Sequence, residues 1–220
     1  KLPEIPNTCT DIGSWVKVSA MGSISKLGVS RLNGLLLHHP QQLLGPHGET
    51  LYKTLIEIKK QGQVEKIGVS IYGPEELDAL WPHYQFDLVQ APLNILDHRM
   101  ITTGWLARLY QSGTEVHVRS VFLQGLLLMD AQSRPKKFNQ WQPLWDKWHN
   151  WLVDSKSTPL RACLGFAQSQ SEISRIVIGV DSLQHLKEII AASNRDSMAF
   201  PESLACEDET LINPAKWKKL

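Results

Sequence analysis

Apolar positions along this chain switch between two periods, with short β-prone runs alternating with longer stretches spaced for helices. Leu35-Leu36-Leu37 follows Gly34 and stops at His38-His39-Pro40. Proline has no N–H to give a ladder and closes the run. From Glu49 to Gln61, residues Leu51, Leu55, Ile56 and Ile58 keep helical spacing, and Gly62 ends it. Lys66 to Ser70 reads as a strand, and Pro74-Glu75-Glu76-Leu77 opens a helix with proline in its first turn. Phe86 to Gln90 predicts a further strand, and residues from about Ile101 to Gln111 a helix ended by Ser112-Gly113. Glu115 to Arg119 predicts a strand with Val116 and Val118 on one face. Ser174 to Ile178 predicts the last strand, and Ser182 to Ala192 the last clear helix, with Ser182 as its N-cap.

Five strands alternating with helices at this spacing imply βαβ units, a parallel sheet and an α/β class. Right-handed crossovers leave an open doubly wound sheet or a closed barrel, and periodicity does not choose between them. No strand is followed by the glycine-rich turn of a dinucleotide-binding doubly wound fold; Gly45 and Gly48 precede a helix but miss its spacing. Two regions break the alternation. Phe138 to Leu152 carries Trp141, Trp145 and Trp148 at i, i+4 and i+7, one helical stripe, followed by Trp151. That stripe reads either as packing onto the sheet or as an aromatic pocket wall. From Ser193 onward no period survives, which predicts an extended surface tail.

Composition narrows the partners. With 220 residues the chain is long enough for one domain, 1–220, with a sizeable core, and short for a complete eight-fold barrel. Charged residues are 20% and the formal net charge is +1, so nothing points to nucleic acid or an anionic membrane. No long uncharged apolar run is present, and the first residues do not read as a signal peptide. Cys9, Cys163 and Cys206 are three in number and widely spaced, which fits neither a disulfide framework nor a metal site and suits a reducing cytoplasm.

Six segments then add up in order. They are Ser23-Ile24-Ser25-Lys26-Leu27-Gly28; Gly34 through Pro40; Lys59 through Ser70; Gln90-Ala91-Pro92-Leu93-Asn94-Ile95-Leu96; Arg119 through Leu127; and Ile178-Gly179-Val180-Asp181-Ser182 followed by Glu188. Together the run resembles the aldo-keto reductases. The resemblance implies a TIM-type (β/α)8 barrel, here with about five strands and incomplete at the N-terminus. It also implies a nicotinamide cofactor, NAD or NADP, and a small-molecule carbonyl substrate.

By that resemblance His38 is the catalytic histidine that orients the carbonyl, and Lys1, in Lys1-Leu2-Pro3, stands where the family's catalytic lysine ends a strand. The alternative for Lys1 is an ordinary exposed residue. The family's Asp and Tyr would lie ahead of residue 1, and Tyr52, Tyr72, Tyr84 and Tyr110 all stand outside the family's tyrosine context. The resemblance gives Ser70 and Gln90 the nicotinamide carboxamide and Arg119 the ring face. Ser120, Phe122, Gln124 and Gly125 fall in the pyrophosphate loop. Gly179, Val180, Asp181 and Ser182 fall at the adenosine ribose, Gln184 among the further cofactor contacts, and Glu188, one helical turn beyond Gln184, at the adenine, with a solvated helix face as the alternative for Glu188.

Two departures matter. Ile71 stands where many members have Asn, which removes one hydrogen bond. Val180-Asp181-Ser182 carries no Lys or Arg for a 2′-phosphate; a carboxylate there repels phosphate and accepts from a ribose hydroxyl, which leans towards NAD, with His185 and Lys187 as the alternative source of charge for NADP. Two functions follow as expectations: a carbonyl-reducing oxidoreductase, or a catalytically impaired protein of the same fold that binds the nucleotide as a sensor or scaffold.

Overall fold

The computed structural model describes residues 1–193 and 198–219. Within them the chain forms two units, one of residues 1–91 and 107–117, the other of residues 92–106 and 118–220.

The first unit begins with Leu2, whose N–H donates to Leu36 O and whose carbonyl accepts from His38 N, a one-residue parallel bridge to Leu37. Helix α1 (Ile12–Leu27) is capped by Asp11, whose carboxylate accepts from Ser14 N. It buries Ile12, Val16, Ala20 and Ile24, one face at a four-residue spacing. Gly28 ends it at φ 65, the left-handed conformation that a residue without Cβ adopts at least cost. Strand β1 (Leu32–Leu37), helix α2 (Gly48–Lys60), strand β2 (Val64–Ser70), helix α3 (Glu75–Leu80) and strand β3 (Leu88–Pro92) follow. Helices α1 and α2 pack on each other. Strands β1 and β2 pair in parallel from Leu32↔Val64 to Leu37↔Val69, and β2 pairs β3 from Gly68↔Leu88 to Ser70↔Gln90. A Cβ on Gly68 would stand 1.8 Å from Leu88 O, so only glycine fits there.

The expected single helix from Ile101 to Gln111 is two: α4 (Arg99–Thr102) and α5 (Trp105–Gln111). Gly104 at φ +77 breaks the turn between them. Strand β4 (Glu115–Arg119) matches its expected bounds, with Val116 and Val118 buried. Glu115 N donates to Asp87 O, and Leu93 N donates to Arg119 O. The two chains thus advance together, which makes β4 parallel to β3.

In the second unit, the tryptophan segment splits into a 3-10 turn (Lys136–Trp141) and helix α6 (Gln142–Asp154). Trp145 and Trp148 are fully buried, whereas Trp141 and Trp151 are partly exposed. The stripe is therefore two residues deep, because Trp141 precedes the helix and turns its Nε1 to Asp208 Oδ2. Helix α7 (Pro159–Gln168), absent from the pattern reading, buries Ala162, Cys163, Leu164, Phe166 and Ala167. Strand β5 shrinks to Arg175–Ile176, held to β4 by Val177 N donating to Val118 O. Helix α8 (Leu183–Ala192) is capped by Ser182 as expected and buries none of its residues. The sheet order is β1-β2-β3-β4-β5.

The tail departs from the extended path expected beyond Ser193. Residues 194–197 and 220 lie outside the described residues. The rest makes short turns, Glu202–Leu204, helix α9 (Glu209–Ile212) and Pro214–Lys219, which bury Leu204, Leu211 and Ile212. Those apolar side chains supply the burial that a polar tail would lack. No helix among the described residues is long and apolar enough to cross a membrane.

Candidate functional site

Parallel strands place their carboxyl ends together, and in the first unit these ends carry polar side chains. Ser70 ends β2 and Gln90 lies in β3, side by side in register. Both are buried, Ser70 at 1% and Gln90 at 7% exposure. Lys1 Nζ donates to Ser70 Oγ at 2.9 Å, and Ser70 Oγ donates to Gln90 Oε1 at 3.4 Å. One serine hydroxyl thus both accepts and donates, and a cation from position 1 is tied to the end of β2. The Gln90 amide nitrogen donates to no protein group among the described residues. That is a donor of the right kind for a carboxamide oxygen, so these residues fit a nicotinamide.

His38 sits at the end of β1, fixed through its backbone N–H to Leu2 O at 3.1 Å. Its ring lies 5.1 Å from His39 and 6.4 Å from Tyr72, centroid to centroid. Tyr72, which the motif reading set aside, is therefore the neighbour of the predicted catalytic histidine. No spacing rule signals this, because the adjacency is made by strand register. The other tyrosines are placed elsewhere: Tyr52 and Tyr84 hydroxyls donate to Gln85 O and Leu43 O, and Tyr110 is exposed. Ile71, where the resemblance expects an amide side chain, is fully buried, and its N–H donates to Gln90 O.

The same unit holds a charge cluster that the sequence reading did not single out. Glu115 accepts from Lys66 Nζ and pairs with His117 Nε2 at 2.7 Å. Lys66, followed by His117, holds the Glu115 carboxyl down at about 2. The alternation Glu115-Val116-His117-Val118 was its one visible trace, putting both polar groups on one face.

In the second unit, Arg119 Nη1 donates to its neighbour's Ser120 Oγ at 3.1 Å. The loop beyond carries four positive φ values: Ser120 at 61, Leu123 at 45, Gln124 at 55 and Gly125 at 83. For the non-glycine residues this conformation costs on the order of 1–3 kcal/mol each and persists where the surroundings enforce it. Here Asn94 does so, its Nδ2 donating to Ser120 O while its Oδ1 accepts from Leu96 N and Asp97 N. Asn94 is fully buried, and only its place in the Gln90–Leu96 motif hinted at a role. The N–H groups of Phe122, Gln124 and Gly125 donate to no acceptor among the described residues. Backbone N–H groups without an acceptor in a loop of this kind are donors that an anion can take up.

The remaining predicted contacts lie on the surface of the second unit. Gly179, Val180, Asp181, Ser182, Gln184 and Glu188 are all exposed. The Ser182 hydroxyl accepts from His185 N, and Gln184 Nε2 donates to Glu188 Oε1 at 2.7 Å. No group of three or more His, Cys, Asp or Glu among the described residues is placed to hold a metal ion.

Comparisons with known proteins agree with this architecture. The model of the aldo/keto reductase family matches residues 12–200. The chain therefore belongs to the aldo/keto reductase family, whose fold is a (β/α)8 barrel, and carries five parallel strands of it with alternating helices. Among solved structures it is similar to an aldo-keto reductase from Bacillus halodurans. The apo form has a TM-score of 0.71 at 16% identity, covering 86% of this chain and 65% of that one. The holo form of the same enzyme gives 0.66 at 16% identity over the same shares. A thermostable aldo-keto reductase solved with the inhibitor epalrestat gives 0.62 at 16% identity, covering 86% and 63%. The chain thus spans less than two thirds of the length of these relatives. No curated protein matches the sequence.

Proposed function

We propose that this chain is part of an NAD(P)H-dependent oxidoreductase that reduces the carbonyl of a small molecule by hydride transfer. The observation that carries the reading is the Lys1–Ser70–Gln90 string at the strand ends, in a chain of this family. A dihydronicotinamide, when bound, supplies the hydride. Ser70 and Gln90 hold the carboxamide, since a buried serine and a glutamine with an unused amide donor offer both polarities. Lys1 sets a positive charge beside that amide, where it stabilises negative charge developing on a carbonyl oxygen. His38, fixed at the end of β1, orients the carbonyl by a hydrogen bond. The surface segment Val180-Asp181-Ser182 offers a carboxylate and no cation to the ribose, so the preference is for NAD over NADP. The cofactor contacts expected of Arg119, Ser120, Phe122, Gln124 and Gly125 belong to the same reading.

The test is titration of the purified protein with NADH and NADPH, read by quenching of its eight tryptophans, followed by turnover of aldehydes, ketones and sugars. Failure to bind either nucleotide removes the reading. Binding without turnover of any carbonyl supports the second reading, a nucleotide-binding sensor or scaffold. Ile71 favours that second reading, because a buried aliphatic side chain replaces an amide next to Ser70.

A further inference from the structure

Arg134 in the second unit is a buried cation whose donors are almost unused. Its side chain lies in the turn before Phe138, with 6% of the residue exposed. The guanidinium stacks on the ring of Trp145, 4.3 Å from its centroid, and Trp145 is itself fully buried. Of the five N–H donors an arginine carries, one meets a protein acceptor among the described residues. Nη2 donates to His149 Nε2 at 3.3 Å. The other nitrogen of that ring, Nδ1, stands 2.7 Å from Trp145 O and must donate to it, so His149 is the neutral tautomer whose Nε2 accepts. Arg134 Nε is buried without a partner, and no carboxylate among the described residues comes within ion-pair distance of the guanidinium.

The two carboxylates whose fields reach Arg134 are Asp130 and Asp146, and both are committed elsewhere. Asp130 accepts from Gln132 N, Ser133 N and Ser133 Oγ. Asp146 accepts from Gln142 Nε2. A buried charge that is neither paired nor fully hydrogen-bonded is costly, and burial lowers the Arg134 pKa accordingly. Stacking on tryptophan returns part of that cost and leaves the in-plane N–H groups, apart from the one on His149, open to a further acceptor. The missing partner is one that the described residues do not supply: a planar or tetrahedral oxyanion, which a guanidinium fork receives through two parallel hydrogen bonds.

We propose that Arg134, backed by Trp145 and oriented by His149, is a binding site for an oxyanion group, phosphate or carboxylate, of a ligand. The inference does not rest on the oxidoreductase reading, since the unpaired cation is there whichever reaction the protein performs. It separates two roles that arginine can have. If the side chain were structural, removing it would weaken the fold. If it is held for a ligand, an apolar side chain of similar length should relieve a buried charge and leave the free protein at least as stable.

The experiment is thermal unfolding of the full chain in an anion-poor buffer, with inorganic phosphate and, separately, acetate added. Wild type, Arg134→Met and Arg134→Lys are compared, and tryptophan emission is followed in parallel. The expected result is a rise of about 3–5 °C in the wild-type midpoint at an anion concentration about ten times Kd. Arg134→Met should show no rise and a free-protein midpoint equal to or above wild type. Arg134→Lys, which keeps charge without the fork, should show a weakened rise. The better of the two anions identifies the group. Repeating the phosphate titration with saturating NADH or NADPH distinguishes the sources: competition assigns the group to a nucleotide phosphate, additivity to a separate ligand. No response of the wild type to either anion overturns the proposal, and so does an equal response in Arg134→Met. Failure of nucleotide binding with an intact phosphate response would sink the oxidoreductase reading and leave this site standing.

Discussion

Lys1 Nζ donates to Ser70 Oγ at 2.9 Å although 69 positions separate the two residues. Parallel pairing makes the contact: Leu2 bridges Leu37, β1 runs beside β2 as far as Leu37↔Val69, and Ser70 follows. Each crossover carries the chain back to the start of the next strand, so residues one βα unit or more apart meet at one sheet end.

Lys1→Met removes the cation and leaves an exposed position otherwise unchanged. Turnover of a carbonyl substrate should fall by about 10²–10³-fold, the range for losing one group that stabilises a developing oxyanion. Nucleotide binding should hold within about twofold, and steady-state rates alongside tryptophan quenching read both. A kcat close to wild type would remove Lys1 from the chemistry.

Gln90→Leu deletes the unused amide donor while keeping the volume in β3. Nucleotide affinity should weaken by about tenfold, the equivalent of one hydrogen bond of roughly 1.4 kcal/mol. An unchanged Kd for both NADH and NADPH would show that the carboxamide goes elsewhere.

Glu115 gives a pH signature. Its carboxyl ordinarily titrates at 4.5 and is held at about 2 in the folded protein, first by Lys66 and then by His117. A lowered folded pKa means that the unfolded chain takes the proton first. The stabilisation is therefore complete above about pH 4.5 and is lost as pH falls towards 2. Glu115→Gln should destabilise the protein by about 1–2 kcal/mol at pH 7, allowing for solvent screening of a partly exposed cluster, and should flatten that acid arm. Denaturant midpoints across the acid range measure it; parallel curves for the two proteins would contradict the assignment.

Trp148→Ala should cost about 3–5 kcal/mol, since it empties a fully buried site and strands Leu127 O, which accepts from the indole nitrogen at 3.3 Å. Trp151→Ala, at a partly exposed ring stacked on Trp148, should cost less than half as much. Equal losses would mean that both rings are packing elements of one depth.

Asp181→Arg tests the cofactor preference. Replacing a carboxylate by a cation at the exposed turn before α8 should raise affinity for NADPH relative to NADH by about tenfold or more. A ratio that does not move would place the ribose away from Asp181.

Much of the first unit was legible because each strand and helix writes its own period. The runs ending at Leu37, Ser70 and Arg119 are strands within a few residues of their expected bounds, and the first is closed by Pro40. Readings failed where neighbours outweighed the local pattern. The helix drawn from Ile101 to Gln111 breaks at Gly104, whose single backbone conformation outweighs ten residues of acceptable spacing. The tryptophan stripe counted Trp141 as helical, but the helix begins one residue later. The tail looked polar, yet Leu204, Leu211 and Ile212 are buried.

Sequence alone determined the element types, the parallel α/β class and the motif positions, because hydrophobic period, capping and turn residues act over a few neighbours. It also placed His38, Ser70 and Gln90 at or near strand ends. Only the tertiary structure decided which side chains meet. Strand register brought Lys1 to Ser70 and Tyr72 to His38, and packing around Trp145 left Arg134 buried beside one neutral histidine. Such pairings depend on how distant segments align, and no local pattern encodes the partner that a buried charge lacks.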